Sequence, residues 1–387
     1  MSIVAFLAAI DEYTFGASMM GRPLFTAPIV GLILGDFQAG IMIGATLELM
    51  FMGSIMVGSA TPPEVYASSV LGTAIAIQSG EGVGTAVALA LPLSIFLQMW
   101  RNGCICDTYE PGSVFKVFTA AAAYEQGVVK LTDTFNCPGY KVVADRRIRC
   151  HKTTGHGTET FVQGVQNSCN PVFMEIGQRL GVSNMFKYLK KFCILDKTGI
   201  DVPGEAGTIM HKQKNVGEVE LATMSFGQSF QLSPIRILTT ISAVINGGTM
   251  ITPHFGVSIS DTETQKKTNI RYTSKKNVIS KETSDVMKNI LETVVSEGGG
   301  KKAAIEGYKV GAKTGTSEKL PRRSGKYIAS CMGFAPAQNP KVIALVLVDE
   351  PSGIYYGGTI AAPVISKLLD DILPYVDGKE DYGYSGN

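Results

Sequence analysis

Apolar and polar positions divide the chain into two unlike stretches. Over the first hundred residues apolar runs dominate, each broken by a single acid: 23–35 ends at Asp36, 37–47 at Glu48 and 49–63 at Glu64. Residues 82–100 then run without a charge, long enough to cross a bilayer. Gly and Pro recur in these runs, as in membrane helices that break around a site. The stretch reads as two to four membrane or re-entrant helices, or as a signal anchor followed by a buried apolar domain. The first ten residues lack a basic n-region, so a cleavable signal peptide fits poorly. Beyond Asp107 the pattern becomes that of a water-soluble fold. A Pro-Gly turn leads into a helix-forming run at 114–126. Tyr308, Val310, Ala312 and Thr314 alternate with their neighbours, which predicts a strand over 309–316. Further strands are expected at 327–335 and 342–349, with a helix over 361–373 covering their sheet. Residues 376–387 read as a short polar tail.

Charge follows the same division. The whole chain carries 35 Lys and Arg against 33 Asp and Glu. Its first hundred residues hold six acids and one base, net −5, and the remainder holds 34 bases and 27 acids, net +7. Neither half has the composition of a disordered or collagen-like segment or of a nucleic-acid binder, and no nucleic-acid partner is expected. With only Arg22 and Arg101 near the apolar runs, charge bias leaves the topology open. An intramembrane carboxylate faces protein or a water-filled cavity. Glu48 is therefore either a functional acid or one paired within the helical bundle.

The soluble part holds three elements suited to nucleophilic catalysis. Ser113 and Lys116 lie three residues apart at the start of the 114–126 run, on one helix face. A serine hydroxyl needs an adjacent base to attack, and a lysine serves as that base only where its ammonium is disfavoured by burial or a helix dipole. Ser168 and Asn170, in Asn167-Ser-Cys-Asn-Pro171, can present a hydroxyl and an amide to one cavity, or can simply cap the helix entered at Pro171. Lys313, Thr314, Gly315 and Thr316 occupy a strand edge that could hold a carboxylate, with Gly315 admitting substrate to the backbone. A second Lys-Thr-Gly, at 197–199, leads into Ile200-Asp-Val-Pro-Gly-Glu205. There Gly199 reads as a helix C-cap.

The chain contains one Ser-x-x-Lys, at 113–116, then a Ser-x-Asn at 168–170 and a Lys-Thr-Gly at 313–315, an order described for penicillin-binding proteins and β-lactamases. The words around these motifs extend the likeness. Asp107-Thr-Tyr-Glu-Pro-Gly-Ser113, Val165-Gln-Asn-Ser-Cys-Asn-Pro-Val-Phe173 and Asp201-Val-Pro-Gly-Glu205 resemble the transpeptidase domain of a class B penicillin-binding protein of the sporulation and cell-division type. The resemblance covers about residues 100–375. It implies an α+β fold, with an antiparallel sheet flanked by helices and a helical lobe. It implies an acyl-serine D,D-transpeptidase acting on D-Ala-D-Ala stem peptides and inhibited by β-lactams. Ser113 would be the nucleophile, Lys116 its base, and Ser168 and Asn170 the proton relay and amide holder. Lys313 and Thr314 would bind the carboxylate, while the N–H groups of Ser113 and Thr316 would form the oxyanion hole. No metal or cofactor is implied. Peptidoglycan lies outside the cell, so the catalytic half is expected extracytoplasmic, on the cell membrane, with other cell-wall synthesis proteins as partners. A β-lactamase is a weaker option, since no second base is evident.

The first part resembles something else. Ile10-Asp-Glu-Tyr-Thr-Phe-Gly, Gly21-Arg-Pro-Leu, Asp36-Phe-Gln, Gly44-Ala-Thr-Leu-Glu-Leu-Met-Phe-Met-Gly53 and Ala60-Thr-Pro-Pro-Glu64 are similar to the start of a mannose/fructose/sorbose-type phosphotransferase IIC permease. This likeness covers about residues 1–98, and 99–106 resembles neither family, as a fusion seam would. The expected organisation is an all-α membrane segment over 1–99, a transpeptidase domain over 100–375 and the tail. Competing readings are a sugar-permease subunit with a passenger and a chimera with neither activity. Little room remains before Ser113 for the first strands of the catalytic sheet.

Of the seven cysteines, an odd number, Cys137 and Cys150 are the pair expected to bridge outside the cytoplasm. Those two with His151 and His156 also hint at zinc, but close Cys-x-x-Cys spacing is absent and no metal is expected. Cys169, inside the Ser-x-Asn motif, reads as a small packed residue. Residues 262–276 read as a solvated hairpin or loop.

Overall fold

The computed structural model describes residues 21–51, 65–100, 102–260, 266–322 and 324–376, with side chains 95–100 left aside. The segments 10–16 and 60–64, Arg101 within the expected seam, and the tail beyond residue 376 lie outside the described residues. The chain forms two compact units, Met1–Asn102 and Gly103–Asn387.

The first unit contains helices α1 (Pro23–Leu34), α2 (Phe37–Phe51), α3 (Val65–Ser79) and α4 (Val83–Trp100). Pro23 opens α1, where its missing N–H costs nothing, and Gly35 closes it in the left-handed conformation. Asp36 then accepts a hydrogen bond from Ala39 N–H at 2.9 Å and starts α2. Gly31 and Gly40 let α1 and α2 approach closely, since a Cβ at Gly40 would lie 2.7 Å from Ala27 O. The ambiguity at Glu48 resolves towards pairing: Arg22 Nη2 lies 2.7 Å from it, and Leu24 N–H reaches its other oxygen at 3.3 Å. Among the described residues no helix is long and apolar enough to cross a membrane. The 18 residues of α4 rise about 27 Å. Apolar side chains still face outward, with Leu32 and Leu49 each 68% exposed.

The second unit is α+β. A helical turn, α5 (Gly103–Cys106), and a 3-10 turn at Gly112–Phe115 lead into α6 (Lys116–Glu125). Every residue of α6 from Lys116 to Ala123 is buried, the mark of a helix at the centre of a core. Around it pack α7 (Phe161–Gln166), α8 (Asn170–Lys191), α9 (Glu218–Ser225), α10 (Pro234–Ile245) and α11 (Lys281–Ser296). Aromatic side chains fill the spaces, Phe118 meeting Phe192 edge-on at 5.3 Å. A small lobe of antiparallel pairs joins β1 (Thr134–Cys137) to β4 (Gly157–Thr160) and β2 (Tyr140–Val143) to β3 (Arg146–Arg149). Two further pairs join β5 (Met250–Ile251) to β8 (Ser274–Lys275) and β6 (Ser258–Ser260) to β7 (Lys267–Asn269).

The main sheet of the described residues is antiparallel, in the order β11 (Val342–Asp349), β10 (Tyr327–Ala335), β9 (Gly311–Glu318). Expected strand ends match for β10 and β11 and slip two residues in β9. The slip has a cause: the ladder with β10 begins at Gly311, opposite Phe334, while Tyr308 is drawn into a turn with Ile305. Helices α12 (Gly357–Ile360) and α13 (Ala362–Val376) follow. Ile365, Leu369 and Leu373 of α13 cover one sheet face through Cys331 and Ala335.

Two local expectations are corrected. Gly199 is left-handed, φ +76°, but in a loop rather than at a helix end, because α8 stops at Lys191 with Phe192 as its cap. Cys137 and Cys150 are free thiols rather than a bridge, and both sulfurs face His156 Nδ1.

Candidate active site

The approach to Ser113 is built by glycine. Gly112 sits at φ +51°, its N–H donates to Gly227 O at 2.9 Å, and a Cβ there would collide with Ser317 Oγ. Glu110, buried just upstream, accepts two hydrogen bonds from Arg322 Nη2, at 2.7 and 2.6 Å. It also accepts one from Ser229 N–H at 3.1 Å. Ser113 therefore stands on a clamped turn at the mouth of α6, where first-turn N–H groups have no intrahelical acceptor.

One cavity of about 370 Å³ is lined by Ser113, Ser168, Asn170, Thr314, Gly315 and Thr316. Lys116 and Lys313 reach it from beneath, both with zero exposure. Lys116 Nζ donates to Asn170 Oδ1 at 2.7 Å, to Ser168 O at 2.6 Å and to Ser168 Oγ at 3.3 Å. Lys313 Nζ donates to the same Ser168 Oγ at 2.8 Å and to Thr314 O at 3.0 Å. All eight residues named in the three motifs thus meet at one place, from the 3-10 turn and α6, the entry to α8, and β9. Ser168 is held at φ +51°, uncommon for a non-glycine residue and a frequent feature of functional turns.

Burial sets the electrostatics. Desolvation lowers the Lys116 ammonium to about 8, although nearby thiols and Glu159 oppose the change. Lys313 is lowered well below its ordinary value by burial and then by the charge of Lys116. A hydroxyl between two desolvated amines, one within reach of neutrality near physiological pH, can pass a proton along the row.

The cavity also takes walls from His151, Tyr355, Tyr356, Gly357 and Gly358, none of which sequence reasoning assigned to it. Gly357 N–H donates to Thr316 Oγ1 at 3.2 Å, and Tyr355 stacks on Tyr327 at 4.0 Å. No local signal marks these residues. The second Lys-Thr-Gly is engaged elsewhere: Thr198 and Gly199 donate their N–H groups to Glu205, at 2.5 and 3.1 Å.

Comparison with known proteins agrees with this geometry. Residues 73–370 match the sequence model of the penicillin binding protein transpeptidase domain. Residues 1–130 match that of the PTS system sorbose-specific IIC component, so the two matches overlap over 73–130. The chain is 46% identical over 282 residues to stage V sporulation protein D of Bacillus subtilis, covering 71% of this chain and 43% of that protein. It is 30% identical over 283 residues to the probable peptidoglycan D,D-transpeptidase PenA of Neisseria flavescens, covering 70% and 66%. The apo transpeptidase domain of Burkholderia pseudomallei penicillin-binding protein 3 superposes with a TM-score of 0.62 at 29% identity, covering 72% and 82%. The chain thus spans less than half the length of its sporulation relative. A serine on a clamped turn, two buried lysines on one hydroxyl and a sheet-edge Lys-Thr-Gly accompany a family match over most of the chain, which belongs to the penicillin-binding protein transpeptidase domain family.

Proposed function

We propose that the second unit is a serine D,D-transpeptidase that cross-links peptidoglycan and is acylated by β-lactams. The observation that carries this reading is the shared Ser168 hydroxyl, held by two fully buried lysines beside the Ser113 cavity. Ser113 Oγ attacks the penultimate D-Ala carbonyl while neutral Lys116 takes its proton. The N–H groups of Ser113 and Thr316 stabilise the oxyanion, commonly a large share of the rate enhancement. Lys313 and Thr314 hold the terminal carboxylate, and Ser168 with Asn170 carries the proton to the departing D-Ala. An amine of a second stem peptide then takes the acyl group and regenerates Ser113. Among the described residues the cavity wall carries no carboxylate to activate water, which favours transfer over hydrolysis. Peptidoglycan as substrate requires this unit outside the cytoplasm, at the cell surface. The match over residues 1–130 favours a second reading for the first unit alone, as a piece of a IIC sugar permease.

The test is labelling of the purified chain with fluorescent penicillin, next to Ser113→Ala. Covalent label on the parent and none on the variant is expected. Equal label on both, or none on a folded parent, would remove Ser113 from its role.

A further inference from the structure

The main sheet ends on an open strand. Among the described residues β11 has one neighbour in the sheet, β10. Lys319 N–H donates to Lys326 O at 2.8 Å, so even-numbered residues of β10 turn their backbone groups to β9 and odd-numbered ones to β11. Glu350 N–H reaches Tyr327 O at 2.9 Å, in the same alternation. Since Ala329 lies opposite Val348 and Cys331 opposite Val346, the even-numbered residues of β11 bond inward. Ile343, Leu345 and Leu347 therefore turn their N–H and C=O groups outward. The strand has none of the devices that blunt an edge. From Val342 to Val348 it holds no charge and no proline, and it pairs with β10 without a bulge. Such an edge is a template for another strand.

What fits the edge is set by its side chains. Ile343, Leu345 and Leu347 pack on the main core, and Val342, Ala344, Val346 and Val348 on the core beneath α13; all seven are only half-buried. An added strand must therefore be apolar on both faces. Charge closes each end, with Lys341 exposed before the run and Asp349 exposed after it. A second β11, antiparallel about a twofold axis at Leu345, meets each demand. Leu345 then lies opposite itself, Ile343 opposite Leu347, Val342 opposite Val348 and Lys341 opposite Asp349. Sliding the register by two residues, the smallest step that keeps outward groups facing, sets Lys341 against Leu347 or Ile343 against Asp349. Asp349 faces Lys319 at 3.0 Å yet keeps its side chain 63% exposed, which leaves room for a second cation. A cavity of about 630 Å³ lined by Ile328, Leu347 and Asp349 gives space beside Leu347 for the isoleucine of the second copy.

We propose that the chain forms a twofold dimer in which two β11 edges pair antiparallel and join two three-stranded sheets into one. Ile343, Leu345 and Leu347 exchange about six backbone hydrogen bonds with their counterparts, and a Lys341–Asp349 pair closes each end. The same patch serves both copies, as a closed twofold contact requires. Because β9 lies on the far side of β10, both Ser113 cavities stay at the outer edges of the joined sheet, open to substrate. Sequence pattern hides the surface, since the apolar run at 342–348 reads equally well as a strand paired on both sides.

The full chain in detergent is followed by sedimentation across a concentration series, with amide exchange over 341–350 read by mass spectrometry. A dimer is expected, in which the outward amides of Ile343, Leu345 and Leu347 exchange about tenfold or more slowly at high concentration than at low. Lys341→Asp and Asp349→Lys each set like charges opposite one another at both ends, and each should weaken the dimer about tenfold. An equal mixture of the two variants makes every such pair opposite in charge and should restore it. Leu345→Pro removes no bond to β10, because that N–H points outward, and should abolish the dimer. Circular dichroism confirms that each variant folds, and exchange in the parent decides the matter if one does not. A monomeric parent overturns the proposal. So does a dimer whose 341–350 amides exchange alike at all concentrations, which would place the contact elsewhere, or a mixture of folded variants no tighter than each alone. None of these readouts depends on transpeptidation.

Discussion

Lys-Thr-Gly occurs twice in the second unit, and the two copies have opposite fates. At 313–315 it lies in β9, paired along its length with β10, and Lys313 is wholly buried against the Ser168 hydroxyl. At 197–199 it lies in a loop with Lys197 exposed, while the N–H groups of Thr198 and Gly199 are consumed by Glu205. The same residues line a cavity in one place and tie down a loop in the other. What separates them is desolvation: a lysine in water keeps its charge and its mobility, whereas burial disfavours the charged form and fixes the side chain in place.

The sharpest way to break this contrast is to remove each lysine in turn. Lys313→Ala is expected to slow acylation by fluorescent penicillin by about 10²- to 10⁴-fold, the range of a lost proton-transfer or charge-holding group. Lys197→Ala should stay within about twofold of the parent. Comparable losses in both would end the distinction. A second test uses pH. With Lys116 lowered to about 8, its neutral fraction falls as pH drops below that value, so acylation should decline about tenfold per unit towards pH 6 and level off above 8. Lys197→Ala should share that profile, and a flat profile in the parent would exclude Lys116 as the base.

Smaller effects probe the structural copy. Glu205→Ala strands two backbone donors and should cost about 1–3 kcal/mol in urea denaturation, with the acylation rate of folded protein unchanged. Gly199→Ala has room, the nearest atom to its Cβ being Thr252 Cγ2 at 3.7 Å. The left-handed backbone at φ +76° should nevertheless cost about 1 kcal/mol, read from the same denaturation curves.

Much of this was legible from the chain because it rests on local signals. Strands β10 and β11 announce themselves by apolar runs bounded by turn residues, and Ser113, Lys116 and Pro171 by their place at helix starts. The Glu110–Arg322 clamp joins residues 212 positions apart, and His151, Tyr355 and Tyr356 reach the cavity from loops with no periodic pattern.

Residue identity and order alone determined the chemical inventory: one Ser-x-x-Lys, the Ser-x-Asn at 168–170, two Lys-Thr-Gly triplets and a division between apolar and charged halves. Only the tertiary structure decided which Lys-Thr-Gly is buried, that Glu48 is paired, and that three cysteines and a histidine from separate elements face one another. The physical reason is that reactivity here depends on desolvation and on distances of a few ångströms. Both are set by long-range packing around α6 and β9, which short stretches of sequence do not encode.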